Sequence, residues 1–170
     1  MSDPRIAVYD GGLVNPFLFT KDDLPIEMIA HSLSQLNRYT GHALFPYSVA
    51  QHTSLLIDIV PRRLKRAAAM HDWSETLMSD IAHPIKRELP EYMRVESVIQ
   101  ERIFDEFEEP WENMEAVTPF DRRICADEMR VLFPKFDPEW IKYEPLGVKV
   151  EEWTWRQAKH TLIMQLKDII

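Results

Sequence analysis

The stretch Met70-His71-Asp72-Trp73-Ser74-Glu75, running on through Ser79-Asp80-Ile81 to Pro84-Ile85-Lys86, decides how the rest of the chain is read. It joins an adjacent His-Asp pair, a Glu three residues after the Asp, a second Asp and a lone Lys. Upstream, Pro61 suits a first helical turn, and Leu64, Ala67 and Ala68 recur at helical spacing, which predicts a helix. Continued through Leu77, that helix puts His71 and Glu75 on one face, four apart, with Asp72 displaced by about 100°. Groups able to bind a metal or move a proton then share one wall, beginning near an Ala-rich segment. The competing reading is a helix end with solvated acids and a capping histidine, and the rest of the chain decides between the two.

Working outward toward the N-terminus, Ser48-Val49-Ala50-Gln51 forms a capping box that starts a helix running through Leu55, Leu56 and Ile59 and stopping before Pro61. His52 lies in its first turns beside Val49, Ala50 and Leu55, either as a satisfied half-buried residue or as a ligand. From Pro25 to about Arg38, the residues Ile26, Ile29, Ala30, Leu33 and Leu36 give an amphipathic helix that Tyr39-Thr40-Gly41 ends. Before it, β-branched and aromatic residues flank Asp10-Gly11-Gly12, which predicts a small hairpin or an extended arm over residues 1–20.

Toward the C-terminus, Pro90 opens a long helical pattern through Tyr92, Val95, Ile99, Ile103 and Phe107 that closes at Pro110. Residues 110–117 read as an acidic connector. Thr118-Pro119-Phe120-Asp121 then combines a capping residue, a Pro and an acid, the pattern of a helix start, so Asp121 reads as an ordinary capping acid. Asp127, six residues further on where no cap needs it, is the residue singled out from that helix. Residues 134–147, with three prolines, form a loop. Glu151 to Ile170 reads as a final helix with Trp155, Ala158, Leu162 and Leu166 as its apolar stripe. The expected architecture is all-α, a single domain over residues 1–170 with a small β embellishment at its N-terminus and a C-terminal helix over 148–170 packed on it.

Composition narrows the function classes. Hydrophobic residues make up 45% of the 170 residues and there are only four glycines, as in a globular, mainly helical chain. The net charge of −8 argues against broad nucleic-acid binding, which needs a basic surface to release counterions. It leaves room for a small phosphate substrate, because a bound divalent cation reverses the local field. The single cysteine, Cys125, excludes an internal disulfide framework and a cysteine zinc cluster. The N-terminal Met-Ser-Asp-Pro-Arg is not an apolar signal segment, and no apolar run reaches the roughly 18 residues of a membrane span. A soluble, cytoplasmic protein is the expectation.

Three helices thus each offer metal-type groups: His52, the pair His71-Asp72, and Asp127. Two imidazoles and two carboxylates suit a borderline divalent ion such as Zn, Mn, Co, Ni or Fe(II), with water completing the shell. The order His, His-Asp, Asp on separate helices resembles the HD-domain metal-dependent phosphohydrolases. The surrounding words extend the likeness: Ser48-Val49-Ala50-Gln51-His52, His71-Asp72-Trp73-Ser74-Glu75 as HD-x-x-E, Ser79-Asp80-Ile81 with Pro84-Ile85-Lys86, and Ala126-Asp127. Within that superfamily the chain is most similar to the compact group of bacterial 5′-deoxynucleotidases and short phage dATP triphosphohydrolases. The shared words there include Ile29-Ala30-His31-Ser32-Leu33-Ser34 and Arg38-Tyr39-Thr40-Gly41-His42.

This resemblance implies an HD-domain helical bundle in which His52, His71, Asp72 and Asp127 bind one divalent transition metal, with additional Mg or Mn on the substrate phosphates. It implies Glu75 and Asp80 as the acid-base groups, one serving the attacking water and the other the leaving oxygen. Arg38 and Lys86 become phosphate ligands, against the plainer readings of a helix-end cation and a solvated Lys. Trp73 either stacks on a nucleobase or packs in the core, and Gln51 either touches the base or only caps its helix. His31 and His42 lie near the expected pocket edge. The implied activity is hydrolysis of a deoxynucleotide, most specifically dATP to deoxyadenosine and triphosphate, in a homo-oligomer. The alternatives are a 5′-deoxynucleotidase acting on monophosphates and a catalytically silent nucleotide- or metal-binding module.

Overall fold

The computed structural model describes residues 3–170; Met1 and Ser2 of the expected N-terminal arm lie outside the described residues. The chain is all-α with one small hairpin. Strands β1 (Ile6–Ala7) and β2 (Leu13–Val14) pair antiparallel, Ile6 opposite Val14, and Gly11 supplies the positive φ of 86° that the tight connection requires. Val14 and Phe19 anchor this arm in the core.

Helix α1 (Ile26–Gln35) buries Ile29, Ala30 and Leu33, the stripe its spacing predicts, and ends earlier than Arg38. Residues Arg38–Gly41 form a tight turn in which Tyr39 and Thr40 both take positive φ, 56° and 55°. Helix α2 (Val49–Ile59) starts where its capping sequence says, with Ser48 accepting the Gln51 backbone N–H. Only half of the capping box forms, because the Gln51 side chain points elsewhere: its Nε2 donates to the Glu151 carbonyl at 2.6 Å.

The predicted continuous helix from Pro61 through Leu77 is broken. A short turn at Arg62–Leu64 leads to α3 (Lys65–Met70), four residues of turn, and then α4 (Glu75–Met78). Across the break the backbone bonds tighten to three-residue spacing: Trp73 N–H to Met70, Glu75 to Asp72, Thr76 to Trp73. The cause is a side chain inserted into the ladder. In a regular helix the Ser74 N–H would reach the Met70 carbonyl. Here the Gln100 amide stands between them, its Oε1 accepting from Ser74 at 3.0 Å and its Nε2 donating to Met70 at 2.7 Å. Replacing Gln100 by Leu strands the buried Ser74 N–H and leaves the Met70 carbonyl with the Trp73 N–H alone, so urea unfolding is expected to register a loss of roughly 1–3 kcal/mol.

A short α5 (His83–Lys86) follows, then α6 (Pro90–Glu106) and α7 (Trp111–Leu132). Helix α7 corrects the sequence reading. Residues 110–117 are not a connector, and the helix passes through Pro119 instead of starting at Thr118. Thr118 Oγ1 donates to the Met114 carbonyl at 3.1 Å, taking up an acceptor one turn back just where Pro119 interrupts the donor series. Asp121 is therefore an interior helix residue and caps nothing. Helix α8 (Trp155–Ile169) begins four residues later than expected, at a full capping box of Thr154 with Gln157. It buries Ala158, Leu162 and Leu166, whereas Trp155 stays 38% exposed.

Helices α1, α2, α3 and α8 pack on one another around Ile29, Leu33, Leu56, Leu64, Ala68, Leu162 and Leu166, and α7 closes the remaining side of α2 and α3. Among the described residues no helix is long and apolar enough to cross a membrane. This packing sets the middle of α2, the α3–α4 turn and the centre of α7 face to face.

Candidate metal centre

His52 on α2 is fully buried, and His71 at the end of α3 is nearly so. Each imidazole commits its Nδ1 outside the site. His71 Nδ1 lies 2.8 Å from the Ala68 carbonyl, and His52 Nδ1 lies 2.5 Å from Glu128 Oε1. A carbonyl and an ionised carboxylate only accept, so both Nδ1 atoms carry the hydrogen and both Nε2 atoms are left as lone-pair donors to whatever lies between them. Those Nε2 atoms face each other at 3.2 Å. Asp72 Oδ2 stands 3.0 Å from His71 Nε2 and 4.0 Å from His52 Nε2. Asp121 Oδ1 closes the other side, 3.1 Å from His52 Nε2 and 4.0 Å from His71 Nε2.

The His52, His71 and Asp72 cluster can hold a metal ion. Two lone pairs converging at van der Waals distance repel unless a cation or a proton sits between them, and two carboxylates supply compensating charge. The donor set therefore fits the ion that the sequence implies. Of the expected four ligands the structure brings three together. The fourth expected, Asp127, is elsewhere: its Oδ2 accepts the Leu146 N–H at 2.7 Å and its Oδ1 the Gly147 N–H at 3.0 Å. The helix geometry explains the exchange. Six residues rotate a side chain by about 240°, so Asp127 cannot share the face that Asp121 presents. Asp127 ties the 134–147 loop back onto α7, and Asp121 takes the place beside the imidazoles.

The electrostatics carry the mark of a site that expects positive charge. Burial and Arg38 oppose protonation of His52, but Glu128 and the hydrogen bond to Asp121 outweigh them and raise it to about 9. The Asp72 carboxyl is held below its ordinary range: burial works against this, and His71, His52 and Arg38 prevail. Asp121 is lowered too, with burial again opposing and His52 prevailing. A proton on His52 thus occupies the place of the cation in the metal-free protein. The folded-state value lies above the unfolded one, so this proton's contribution to stability is complete below about pH 6.5 and is lost as pH rises through about 9. Metal and proton compete for the same Nε2, so affinity for Zn²⁺ or Co²⁺ should climb by up to tenfold per pH unit between about pH 7 and pH 9 and then level off, as read by chelator competition.

Glu75 follows Asp72 by one turn and feels its charge. Three-residue spacing across the α3–α4 break aligns it with Asp72, not with His71 as a regular helix would. It is 6% exposed, and its Oε2 is buried with no hydrogen-bond partner among the described residues. Burial first, then the charges of Asp72 and Asp80, push its carboxyl well above the usual range, the direction that makes it a better proton acceptor. Asp80 is half-buried just beyond the end of α4 and acts electrostatically on both Glu75 and Lys86. Lys86 is tied to Glu96 on α6 at 2.7 Å.

The remaining expected substrate contacts divide. Arg38 is inside the site, but its guanidinium is already engaged: Nε 3.4 Å from Glu128, Nη2 3.4 Å from Cys125 Sγ and Nη1 3.7 Å from Asp72. Trp73 is 1% exposed and packs edge-on against Phe107 at 5.0 Å, so it belongs to the core and meets no nucleobase. Gln51 is equally buried; its Nε2 donates to the Glu151 carbonyl, and its Oε1 has no hydrogen-bond partner among the described residues. His31 stacks on Tyr9 at 3.9 Å, and His42 is exposed. Reading the sequence missed Asp121, Glu128 and Gln100. The first two were discoverable: in one continuous α7, Asp121, Cys125 and Glu128 at i, i+4 and i+7 share a face.

No family model matches the chain. It is 40% identical over 112 residues to the uncharacterized protein YfdR of Escherichia coli (strain K12), a match covering 66% of this chain and 63% of that protein. It is also 34% identical over 76 residues to the uncharacterized protein RCAP_rcc00048 of Rhodobacter capsulatus, covering 39% of each. The chain thus spans less than two thirds of the curated relatives it matches.

Proposed function

We propose that this chain is a metal-dependent phosphohydrolase of the HD type acting on a deoxynucleotide, with dATP, cleaved to deoxyadenosine and triphosphate, as the substrate to test first. The observation that carries the reading is the convergence of the two imidazole Nε2 atoms with Asp72 and Asp121, with the buried Glu75 one turn beyond Asp72 and its carboxyl shifted upward by burial and by Asp72. Such a set suits phosphate-ester hydrolysis better than simple ion storage. Storage needs ligands, whereas hydrolysis also needs a group that moves a proton beside them.

His52, His71, Asp72 and Asp121 would hold one divalent cation of the Zn, Co, Mn, Ni or Fe(II) type. Bound there, such an ion supplies charge to hold a phosphate and acidifies a water. The protein supplies the rest. Glu75, buried next to Asp72, accepts the proton of the water that attacks the α-phosphorus. Asp80, nearer the surface, gives a proton to the departing O5′ oxygen. A phosphorus–oxygen bond forms to the water oxygen and the bond to O5′ breaks, leaving the nucleoside hydroxyl and the phosphate chain. Lys86, released from Glu96, and the Nη1 end of Arg38 are the cations facing the phosphates.

The test is product analysis by chromatography. Metal-free protein reloaded with Co²⁺, Mn²⁺, Zn²⁺ or Mg²⁺ is offered each dNTP and dNMP separately, beside Asp72→Ala. Deoxyadenosine with intact triphosphate, absent in the variant, is the expected result. Phosphate released only from monophosphates would make the protein a 5′-deoxynucleotidase. Nucleotide binding without turnover under any metal would contradict hydrolysis and leave a silent binding module.

A further inference from the structure

Glu128 is buried to 0% exposure on α7, and no step of the proposed reaction uses it. Every side of its carboxylate is engaged. Oε1 accepts from His52 Nδ1 at 2.5 Å and from the Tyr47 hydroxyl at 2.9 Å. Oε2 accepts from the Tyr39 hydroxyl and faces Arg38 Nε at 3.4 Å. Burying a carboxylate this deeply is unfavourable unless each lone pair is met, and packing alone gives no reason to place one here. The chain also holds two consecutive non-glycine residues, Tyr39 and Thr40, at positive φ in the turn that delivers Arg38 and the Tyr39 phenol to this carboxylate. Strain of that kind persists where the surroundings over-determine a geometry. Tyr39 is braced from behind by Phe133, edge-on at 5.3 Å.

We propose that Glu128 is a positioning residue: it fixes the ring and tautomer of His52, so that Nε2 is presented to the metal, while Tyr39, Tyr47 and Arg38 hold the carboxylate in place. The inference rests on the metal reading of His52 given above. Its physical content is that a carboxylate on Nδ1–H orients the imidazole and raises the basicity of Nε2, which strengthens it as a ligand. An imidazole without such a partner can rotate or carry its hydrogen on the wrong nitrogen.

The experiment uses the full chain loaded with Zn²⁺, with affinity from chelator competition and the His52 Nδ1–H resonance from proton–nitrogen correlation spectra. Glu128→Gln keeps the size and loses the charge. It should weaken Zn²⁺ binding about 10–100-fold and move the His52 Nδ1–H resonance upfield. Tyr47→Phe has the opposite sign on the resonance. Oε1 loses its competing donor, the bond from His52 strengthens, and the resonance moves downfield with Zn²⁺ affinity retained. Wild-type affinity and an unmoved resonance in Glu128→Gln would overturn the proposal. Should that variant fail to fold, an unmoved resonance in Tyr47→Phe overturns it instead. A wild-type chain that binds no Zn²⁺ defeats the metal reading itself, an outcome separate from a Glu128→Gln chain that binds as well as wild type.

Discussion

Asp121→Ala should lower divalent-metal affinity by more than about 100-fold, whereas Asp127→Ala should leave it unchanged; removing a ligand exceeds the 10–100-fold typical of an outer partner. The pair is informative because both residues are aspartates on one helix, six apart, and only one of them faces the imidazoles. Asp127→Ala has its own signature. It strands the backbone N–H groups of Leu146 and Gly147, so it should cost roughly 1–3 kcal/mol in denaturant unfolding. The two losses therefore appear in different measurements: metal affinity for Asp121, stability for Asp127. The reverse assignment, a metal effect at Asp127 and none at Asp121, would mean that α7 is rotated relative to the structure described.

The second large effect is at Glu75. Glu75→Gln should reduce turnover by about 10²–10⁴-fold while one equivalent of metal remains bound. Glutamine matches the shape of the neutral carboxyl that burial and the neighbouring Asp72 and Asp80 favour, so the pocket should accept it. The stability effect has a definite sign. A carboxyl raised in the folded state contributes stability below its unfolded value and loses it as pH rises through the folded one. The metal-free Glu75→Gln protein should accordingly melt no lower than wild type near neutral pH, and its advantage should be absent below about pH 4.5 and develop as pH rises from there. A variant that loses activity together with metal, or with its fold, would remove Glu75 from the proton-transfer role.

Much of this was readable from the residues. The hairpin around Asp10-Gly11-Gly12, the apolar stripes of α1 and, Trp155 apart, of α8, and the Ser48 start of α2 are local signals that the structure realises. His52, His71 and Asp72 were singled out through the resemblance of Ser48-Val49-Ala50-Gln51-His52 and His71-Asp72-Trp73-Ser74-Glu75 to the HD-domain motifs; spacing alone left them open. What failed was a boundary. Thr118-Pro119 has the chemistry of a helix start, and nothing local reveals that the helix began a full two turns earlier at Trp111. That error turned Asp121 into a cap and put the expected fourth ligand on Asp127, whose carboxylate the structure places on the Leu146 and Gly147 amides. Trp73 and Gln51 were ambiguous for another reason. Their partners, Phe107 and the Glu151 carbonyl, are distant in sequence, and only the tertiary packing reveals that both side chains are buried. The break at Asp72 was equally hidden, since the residue that causes it, Gln100, lies on α6.

Diffraction from crystals grown with Co²⁺ or Mn²⁺, recorded at the absorption edge of the metal, tests the central claim most directly. One anomalous peak should lie about 2.0–2.2 Å from His52 Nε2 and His71 Nε2, with Asp72 and Asp121 completing the protein ligands and Asp127 still on the Leu146 and Gly147 amides. No peak between the imidazoles, or a peak on Asp127, would contradict the metal centre described here.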